Sequence, residues 1–492
     1  MSDFDLIVVG SGSTGYHAAR VASASGKRIA LVEGGEDFGG LCILRGCMPT
    51  KTMLRTAEVM DLIRGAGELA IDVAEPKVDW SGVVDRTSRL VREFAEDRLD
   101  AAEALPDVEI IRERASFDSP TTLRVGDTRL SADKFVIAAG SIVWKPTIPG
   151  LNEIGFLTSD DVQTMKRLPG SLIVFGGGAV AVEFSQLFQR LGVQVTVVQR
   201  SPRILSKMDL DISLEAQKVL EDEGVEFVTS ADVIRFETHE GSKSCVVRTP
   251  SGTRRFVAEE ILCAVGRRPA VEGLNCEAAG VLCEDGWVVV DENLRTSNPA
   301  IFAGGDVVGG PAVGMRQLVH VAVQHGEIIG RNVFGDELDR FDNELVPEAV
   351  FTDPAIGAVG LTEAEAHAEG RRICTAIKRF DDQGKAIVMD QKKGFVKMIA
   401  DGDSGEILGV HIIGPEGADL IHEAVVAMYY GATISEFVAI PHLHPTLAEA
   451  LLDPAEEILD QMKKLSTSGR HARGGTVGRP ALAAVERPIR RG

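Results

Sequence analysis

Cys42 and Cys47 stand with four residues between them in the run Gly39-Gly40-Leu41-Cys42-Ile43-Leu44-Arg45-Gly46-Cys47-Met48-Pro49-Thr50-Lys51. Two thiols at this spacing close a small ring when the turn between them brings their Cβ atoms to about 3.8 Å. In a cytosolic chain so short a pair reads as catalytic or metal-binding rather than as a structural bridge. Zinc would need two further ligands in space. The other cysteines (Cys245, Cys263, Cys276, Cys283 and Cys374) are scattered, with no second pair at ligand spacing. Redox chemistry is the favoured reading and no metal is expected.

The pair lies just downstream of a glycine-rich loop, Gly10-Ser11-Gly12-Ser13-Thr14-Gly15. An apolar strand, Leu6 to Val9, enters that loop, and a helical stretch, Tyr16 to Ala24, leaves it. A second strand, Arg28 to Val32, ends on Glu33. Gly10 permits the tight turn, Gly12 lets backbone approach a pyrophosphate, and Gly15 lets helix and strand pack closely. The helix N-terminus then faces the phosphate with unpaired N–H groups. Glu33 is placed to accept hydrogen bonds from a ribose.

The same order returns at Leu172 to Phe175, Gly176-Gly177-Gly178-Ala179-Val180-Ala181, a helical stretch Val182 to Leu191 and a strand Val193 to Val198. Ala181 takes the place of the third glycine. Two such units imply two dinucleotides, most simply FAD and a nicotinamide. At the position equivalent to Glu33 stands Gln199, followed by Arg200 and Arg203. A carboxylate there would favour the free 2′-hydroxyl of NAD; its loss, with arginines near by, tips the balance from NADH towards NADPH. Surface arginines in a turn are also common as merely solvated residues, so NADPH is only weakly favoured.

A chain of 492 residues is too long for one core, so two to four domains are expected. Aromatics make up only 5% while glycine is abundant, which suits an α/β protein with many tight strand-to-helix turns. The net charge of −21 argues against nucleic acid as a partner. No basic leader precedes the first strand and no apolar run of membrane length occurs, so a soluble cytoplasmic protein is expected.

With these motifs assembled, the chain resembles the class I pyridine nucleotide-disulfide oxidoreductases from about Phe4 to Leu465. The resemblance implies an α/β fold with two Rossmann-like dinucleotide-binding domains (glutathione reductase-like) and an α+β C-terminal dimerisation domain. Phe135-Val136-Ile137-Ala138-Ala139-Gly140 and Ile261-Leu262-Cys263-Ala264-Val265-Gly266 are similar to the family's two inter-domain returns. Ile301-Phe302-Ala303-Gly304-Gly305-Asp306 is similar to the segment whose aspartate binds the ribityl chain of FAD. In His442-Leu443-His444-Pro445-Thr446-Leu447-Ala448-Glu449, the resemblance makes His444 the acid/base, held by Glu449, reaching the disulfide of the other subunit of a homodimer. Lys51 and Glu183 match the family's ion pair beside the flavin. Electrons are thus expected to pass between NAD(P)(H), FAD, Cys42–Cys47 and a small dithiol or disulfide substrate.

Within the family the chain is most similar to dihydrolipoamide dehydrogenase, on Gln186 to Gly192, Gly409 to Pro415 and the doubled histidine. Assembly with a 2-oxo acid dehydrogenase complex is one implied role. The alternative is an NADPH-dependent reductase of a low-molecular-weight disulfide or a quinone. Cys374 is the last cysteine, so the C-terminal thiol pair of mercuric reductases is missing. Gln199 and Ile43-Leu44-Arg45 depart from the family pattern. Expected boundaries are residues 1–149 and 275–343 for the FAD segments, 150–274 for the nicotinamide domain and 344–465 for dimerisation. A basic tail with Arg470, Arg473, Arg479, Arg487, Arg490 and Arg491 reads as disordered from residue 466 to 492.

Overall fold

The computed structural model describes residues 2–35 and 37–472, with side chains through Leu465. Its first strand, β1 (Phe4–Val9), is buried along Leu6, Ile7 and Val8. Such a continuous apolar run belongs in a parallel sheet covered on both faces. β1 lies between β2 (Ile29–Val32) and the strand Thr128–Ile137; Val108–Ile111 and Ile301–Ala303 extend the sheet, all parallel. The helix α1 (Ser13–Ala22) connects β1 to β2.

The second unit repeats this order. Strands Glu226–Val228, Gln194–Val198, Ser171–Phe175 and Glu260–Cys263 lie side by side in parallel, with the helix Ala179–Arg190 as the first crossover. Each unit also carries a three-stranded antiparallel excursion before its return strand. In the first this is Ala115–Ser119, Thr122–Val125 and the start of Thr128–Ile137; in the second it is Asp232–His239, Ser242–Thr249 and Gly252–Ala258. The repeat is therefore architectural and extends beyond the glycine motifs. The two returns meet, because Ser141–Val143 pairs antiparallel with Arg267–Pro269.

A five-stranded antiparallel sheet follows, in the order Glu348–Val350, Ala355–Gly360, Ile407–Gly414, Phe395–Asp401, Ile373–Arg379. Helices Gly417–Tyr429 and Leu452–Ala472 bury Ile421, Ala424, Ala455 and Ile458 in its core. Two buried cations fasten this layer to the second unit. Lys397 lies 2.9 Å from Asp209, 2.6 Å from Asp211 and 2.7 Å from Glu363. Arg190 lies 2.7 Å from both Glu223 and Asp353. Losing one partner of such a cluster would strand a charge away from water, so the clusters fix the docking geometry.

The structure shifts several sequence-based limits. The first helix starts at Ser13, not Tyr16, and ends at Ala22, where the chain tightens into a 3₁₀ turn, Ser23–Ser25, closed by Gly26 at φ 67°. The second crossover helix likewise starts at Ala179, directly after the glycines, and ends at Arg190. The last helix continues to Ala472, so residues 466–472 are helical rather than part of a disordered tail. The remainder of that basic tail, 473–492, lies outside the described residues. No helix among the described residues is long and apolar enough to cross a membrane.

Candidate active site

Both glycine loops turn on the same contact. Gly10 has φ 105° and Gly176 has φ 125°. A Cβ on either would sit 2.3 Å from the carbonyl oxygen of the facing return turn, Ala138 or Ala264. Only glycine accepts both the backbone angle and the approach. The helices that follow are capped by Gly12 and Gly178, and neither cap receives a side-chain hydrogen bond. Among the described residues no side chain caps these first turns, the arrangement that receives a pyrophosphate. Glu33 is held by Ser11 N–H at 2.9 Å, Ser11 O–H at 2.6 Å and Gly35 N–H at 2.7 Å, which places its carboxylate at the end of β2. These residues fit FAD.

Cys42 lies on the short helix α2 (Gly40–Leu44), and Cys47 is the first residue of α3 (Cys47–Arg64). α2 begins against the nucleotide loop itself. Gly40 has φ 72°, and a Cβ there would be 2.4 Å from the Gly12 Cα. The Gly39 N–H adds a bond to Ser11 Oγ at 3.3 Å. Gly46, with φ −118° and ψ −109°, breaks the helix and brings the thiols together in reduced form. The Cys42 thiol donates to the Cys47 sulfur, and this bond, helped by the Lys51 charge against the effect of burial, lowers the Cys47 pKa to about 7. The same bond, together with burial, pushes Cys42 far up. The start of α3 adds a favourable dipole for a Cys47 thiolate. The pair is therefore electronically asymmetric.

Lys51 Nζ lies 3.0 and 2.9 Å from the two oxygens of Glu183. The Phe351 N–H donates to the same carboxylate at 2.9 Å, and the Phe351 ring lies 4.4 Å from Lys51 Nζ. This one cluster unites α3, the crossover helix of the second unit and the C-terminal layer. Asp306 is reached through another chain of bonds: Arg267 Nε donates to Ser141 Oγ at 2.9 Å, and Ser141 O–H donates to Asp306 at 2.8 Å. Gly140 and Gly266, one residue before Ser141 and Arg267, are the turns that bring the two returns together. Burial raises the Asp306 carboxyl above its ordinary range. His325 accepts from the Gly305 N–H through Nδ1 at 3.1 Å, and burial lowers its pKa to about 4, so a neutral imidazole holds this segment.

In the second unit Ala181 is fully buried, as a helix-packing residue must be. The Gln199 side chain packs over Gly177, and its oxygen accepts from the Arg200 N–H at 3.1 Å. Arg200 is exposed. Arg203 instead turns inward and donates to the Ser206 and Met208 carbonyls at 2.9 and 3.4 Å. Of the two arginines singled out from sequence, only Arg200 is left facing outward.

His444 Nδ1 lies 2.9 Å from Glu449, whose other oxygen accepts from the Thr446 N–H at 2.8 Å. A carboxylate only accepts, so Nδ1 carries the proton of this bond and Nε2 points away from it. The Thr446 N–H first and then His444 hold Glu449 below its ordinary range. The His444 side chain is 80% exposed, and among the described residues no hydrogen bond joins it to either thiol of its own chain. Beside it, His442 bonds Glu423 at 2.6 Å through Nε2 and the Ile440 carbonyl at 2.9 Å through Nδ1. The Cys pair, Lys51 and Glu183 thus come together, whereas His444 and Glu449 form a separate outward-facing dyad.

Comparison with known proteins agrees with this geometry. Residues 4–326 match the model of the pyridine nucleotide-disulphide oxidoreductases, and residues 346–455 match the dimerisation domain of that family. The chain belongs to the pyridine nucleotide-disulphide oxidoreductases. It is 34% identical to a dihydrolipoyl dehydrogenase of Bacillus subtilis, covering 92% of this chain and 98% of that one. A mercuric reductase of Bacillus cereus is 33% identical over 91% of this chain and 70% of its own length. Among solved structures, the HOCl-induced flavoprotein disulfide reductase RclA of Escherichia coli superposes with a TM-score of 0.82 at 27% identity, covering 92% of this chain and 99% of that one. As a member of this oxidoreductase family the chain is an FAD-binding, NAD(P)H-using enzyme with a glutathione reductase-like fold.

Several groups that organise this oxidoreductase site carried no sequence signal of their own. Phe351 acts partly through its backbone N–H, which no residue pattern reveals. Ser141 and Arg267 lie beside recognised motifs but become a network only when the distant returns pair, and His325 lies in no recognised motif. Gly40 was visible as a glycine beside the redox run, but its contact with Gly12 was not.

Proposed function

We propose that the chain is a homodimeric dithiol–disulfide oxidoreductase that couples NAD(P)(H) to a small dithiol, with dihydrolipoamide the favoured substrate. The observation that carries this reading is the asymmetry of Cys42 and Cys47. In thiol oxidation, His444 of one subunit takes the proton of a substrate thiol at Nε2, and the thiolate attacks Cys42 of the oxidised pair. Cys47 then leaves as a thiolate, as a group with pKa near 7 does readily. The second substrate thiol attacks the sulfur joined to Cys42; substrate disulfide departs and Cys42 recovers a proton. Bound FAD supplies the two-electron link between the thiols and the nicotinamide. Lys51, held by Glu183, keeps positive charge beside Cys47, and Glu449 fixes the His444 tautomer. The dihydrolipoyl dehydrogenases among the relatives support the substrate and leave room for a role within a 2-oxo acid dehydrogenase complex.

Gln199 and exposed Arg200 favour a second reading, an NADPH-dependent reductase of a low-molecular-weight disulfide or a quinone. Alkylation of the two-electron-reduced enzyme separates disulfide chemistry from direct transfer to a quinone. Under the dithiol reading, activity falls in proportion to alkylation of the reduced Cys42–Cys47 pair, with Cys47 the thiolate that reacts first. Activity that survives full alkylation overturns it.

A further inference from the structure

The cysteines scattered along the sequence do not all remain apart. Cys276 and Cys283 meet at the surface, and the Cys276 thiol hydrogen-bonds the Cys283 sulfur. The intervening chain is built to hold them. Asn275 has φ 58° and Gly280 φ 70°; the Ala279 and Val281 N–H groups both return to the Cys276 carbonyl, at 3.1 and 3.0 Å. Ser297 then clamps the far side, accepting from the Leu282 N–H at 2.8 Å and donating to the Gly280 carbonyl at 2.9 Å. Cys283 is fixed in its strand opposite Val288. Both cysteines line an open surface hollow of about 450 Å³ with Glu277, Gly280, Leu282 and Ser297, so a small molecule can reach the sulfurs.

We infer that Cys276 and Cys283 form a second dithiol–disulfide site, oxidised by low-molecular-weight disulfides and independent of Cys42 and Cys47. Burial, first, and its sulfur neighbour raise Cys276 to about 12, so it stays protonated at neutral pH. Cys283 gives up its proton to solvent and attacks one sulfur of the small disulfide, and the thiolate released takes up a proton. Cys276 then attacks Cys283 in that mixed disulfide, transferring its proton and releasing the second thiol. Two protein thiols are oxidised and one small disulfide is reduced to two thiols. The new bond closes the 276–283 turn onto a strand that pairs with Trp287–Val289, and this strand pairs in turn with Val308–Gly309, directly after Gly305–Val307.

The test equilibrates the holoprotein anaerobically in glutathione buffers of stepped ratio, traps free thiols by alkylation and maps them after trypsin digestion. No Lys or Arg lies between Arg268 and Arg295, so both cysteines fall in one peptide. The expected result is that this peptide loses both alkyl groups together and carries an internal disulfide. Trp287 fluorescence changes in the same step, and C276S and C283S abolish that change while retaining activity. If both cysteines stay alkylatable while Cys42 and Cys47 oxidise, or if they take up only glutathione without an internal bridge, the inference is wrong. Neither result bears on the assignment of the main site.

Discussion

Lys51 and Glu183 each sit four residues beyond the start of a helix, the first after Cys47 and the second after Ala179, and their charges meet at 2.9 Å. One ion pair therefore sets the redox helix against the helix of the second nucleotide loop. Glu183 is buried and Lys51 only partly so, and the carboxylate keeps a second partner in the Phe351 N–H.

Lys51→Met should act on both stability and ionisation. The Glu183 charge would keep only its Phe351 contact, with destabilisation of up to about 3 kcal/mol after allowing for partial exposure of the lysine. Loss of positive charge should move the Cys47 pKa up from about 7 towards the ordinary 9.0, leaving roughly tenfold less thiolate at neutral pH. The rate of iodoacetamide reaction with the reduced enzyme against pH checks this. In the parent enzyme a depressed pKa means that ionisation favours the folded state. That contribution is complete above pH 9.0 and lost as pH falls through about 7.

His444→Gln should leave the thermal unfolding of the chain unchanged, because the side chain is largely exposed. Turnover with dithiols should fall by roughly 10²–10⁴, the ordinary worth of a positioned acid/base. Glu449→Gln should cost less and alter the pH profile, since it disturbs the tautomer while leaving the imidazole in place. Steady-state rates across pH separate the two.

Gln199→Glu should shift cofactor preference towards NADH. A carboxylate facing a 2′-phosphate costs several kcal/mol, so NADPH kcat/KM should fall at least about tenfold with NADH little changed. Equal loss with both cofactors would show that Gln199 is not at the ribose.

Gly40→Ala should weaken FAD binding although it adds one methyl group. At φ 72° and 2.4 Å from Gly12, the new carbon must push the redox loop off the nucleotide loop. Flavin content of the purified protein, read from its visible absorbance, is expected to drop severalfold while circular dichroism stays the same.

The glycine loops and the Cys pair could be read locally because each is a short run whose residue types carry its chemistry, whereas His444 and Glu449 stood out only through the family resemblance. Lys51 and Glu183, far apart in the chain, became legible through family resemblance alone. The pairing of Ser141–Val143 with Arg267–Pro269, which builds the Asp306 network, lay beyond local pattern because it joins segments more than a hundred residues apart. The Cys276–Cys283 contact was missed for a related reason: a spacing without a familiar motif says nothing until the Asn275 and Gly280 turns fold it back. Gln199 could be seen in the sequence as an uncharged replacement, but the inward turn of Arg203 towards the Ser206 carbonyl could not.

The most direct test is anaerobic stopped-flow spectroscopy of the holoenzyme, mixed either with dihydrolipoamide and NAD+ or with NADPH and small disulfides. The account predicts rapid reduction by dihydrolipoamide, with a thiolate-dependent long-wavelength band that disappears in Cys47→Ser, followed by NADH formation. Rapid reduction by NADPH with no response to dihydrolipoamide would contradict the substrate assignment and leave a reductase acting in the opposite direction.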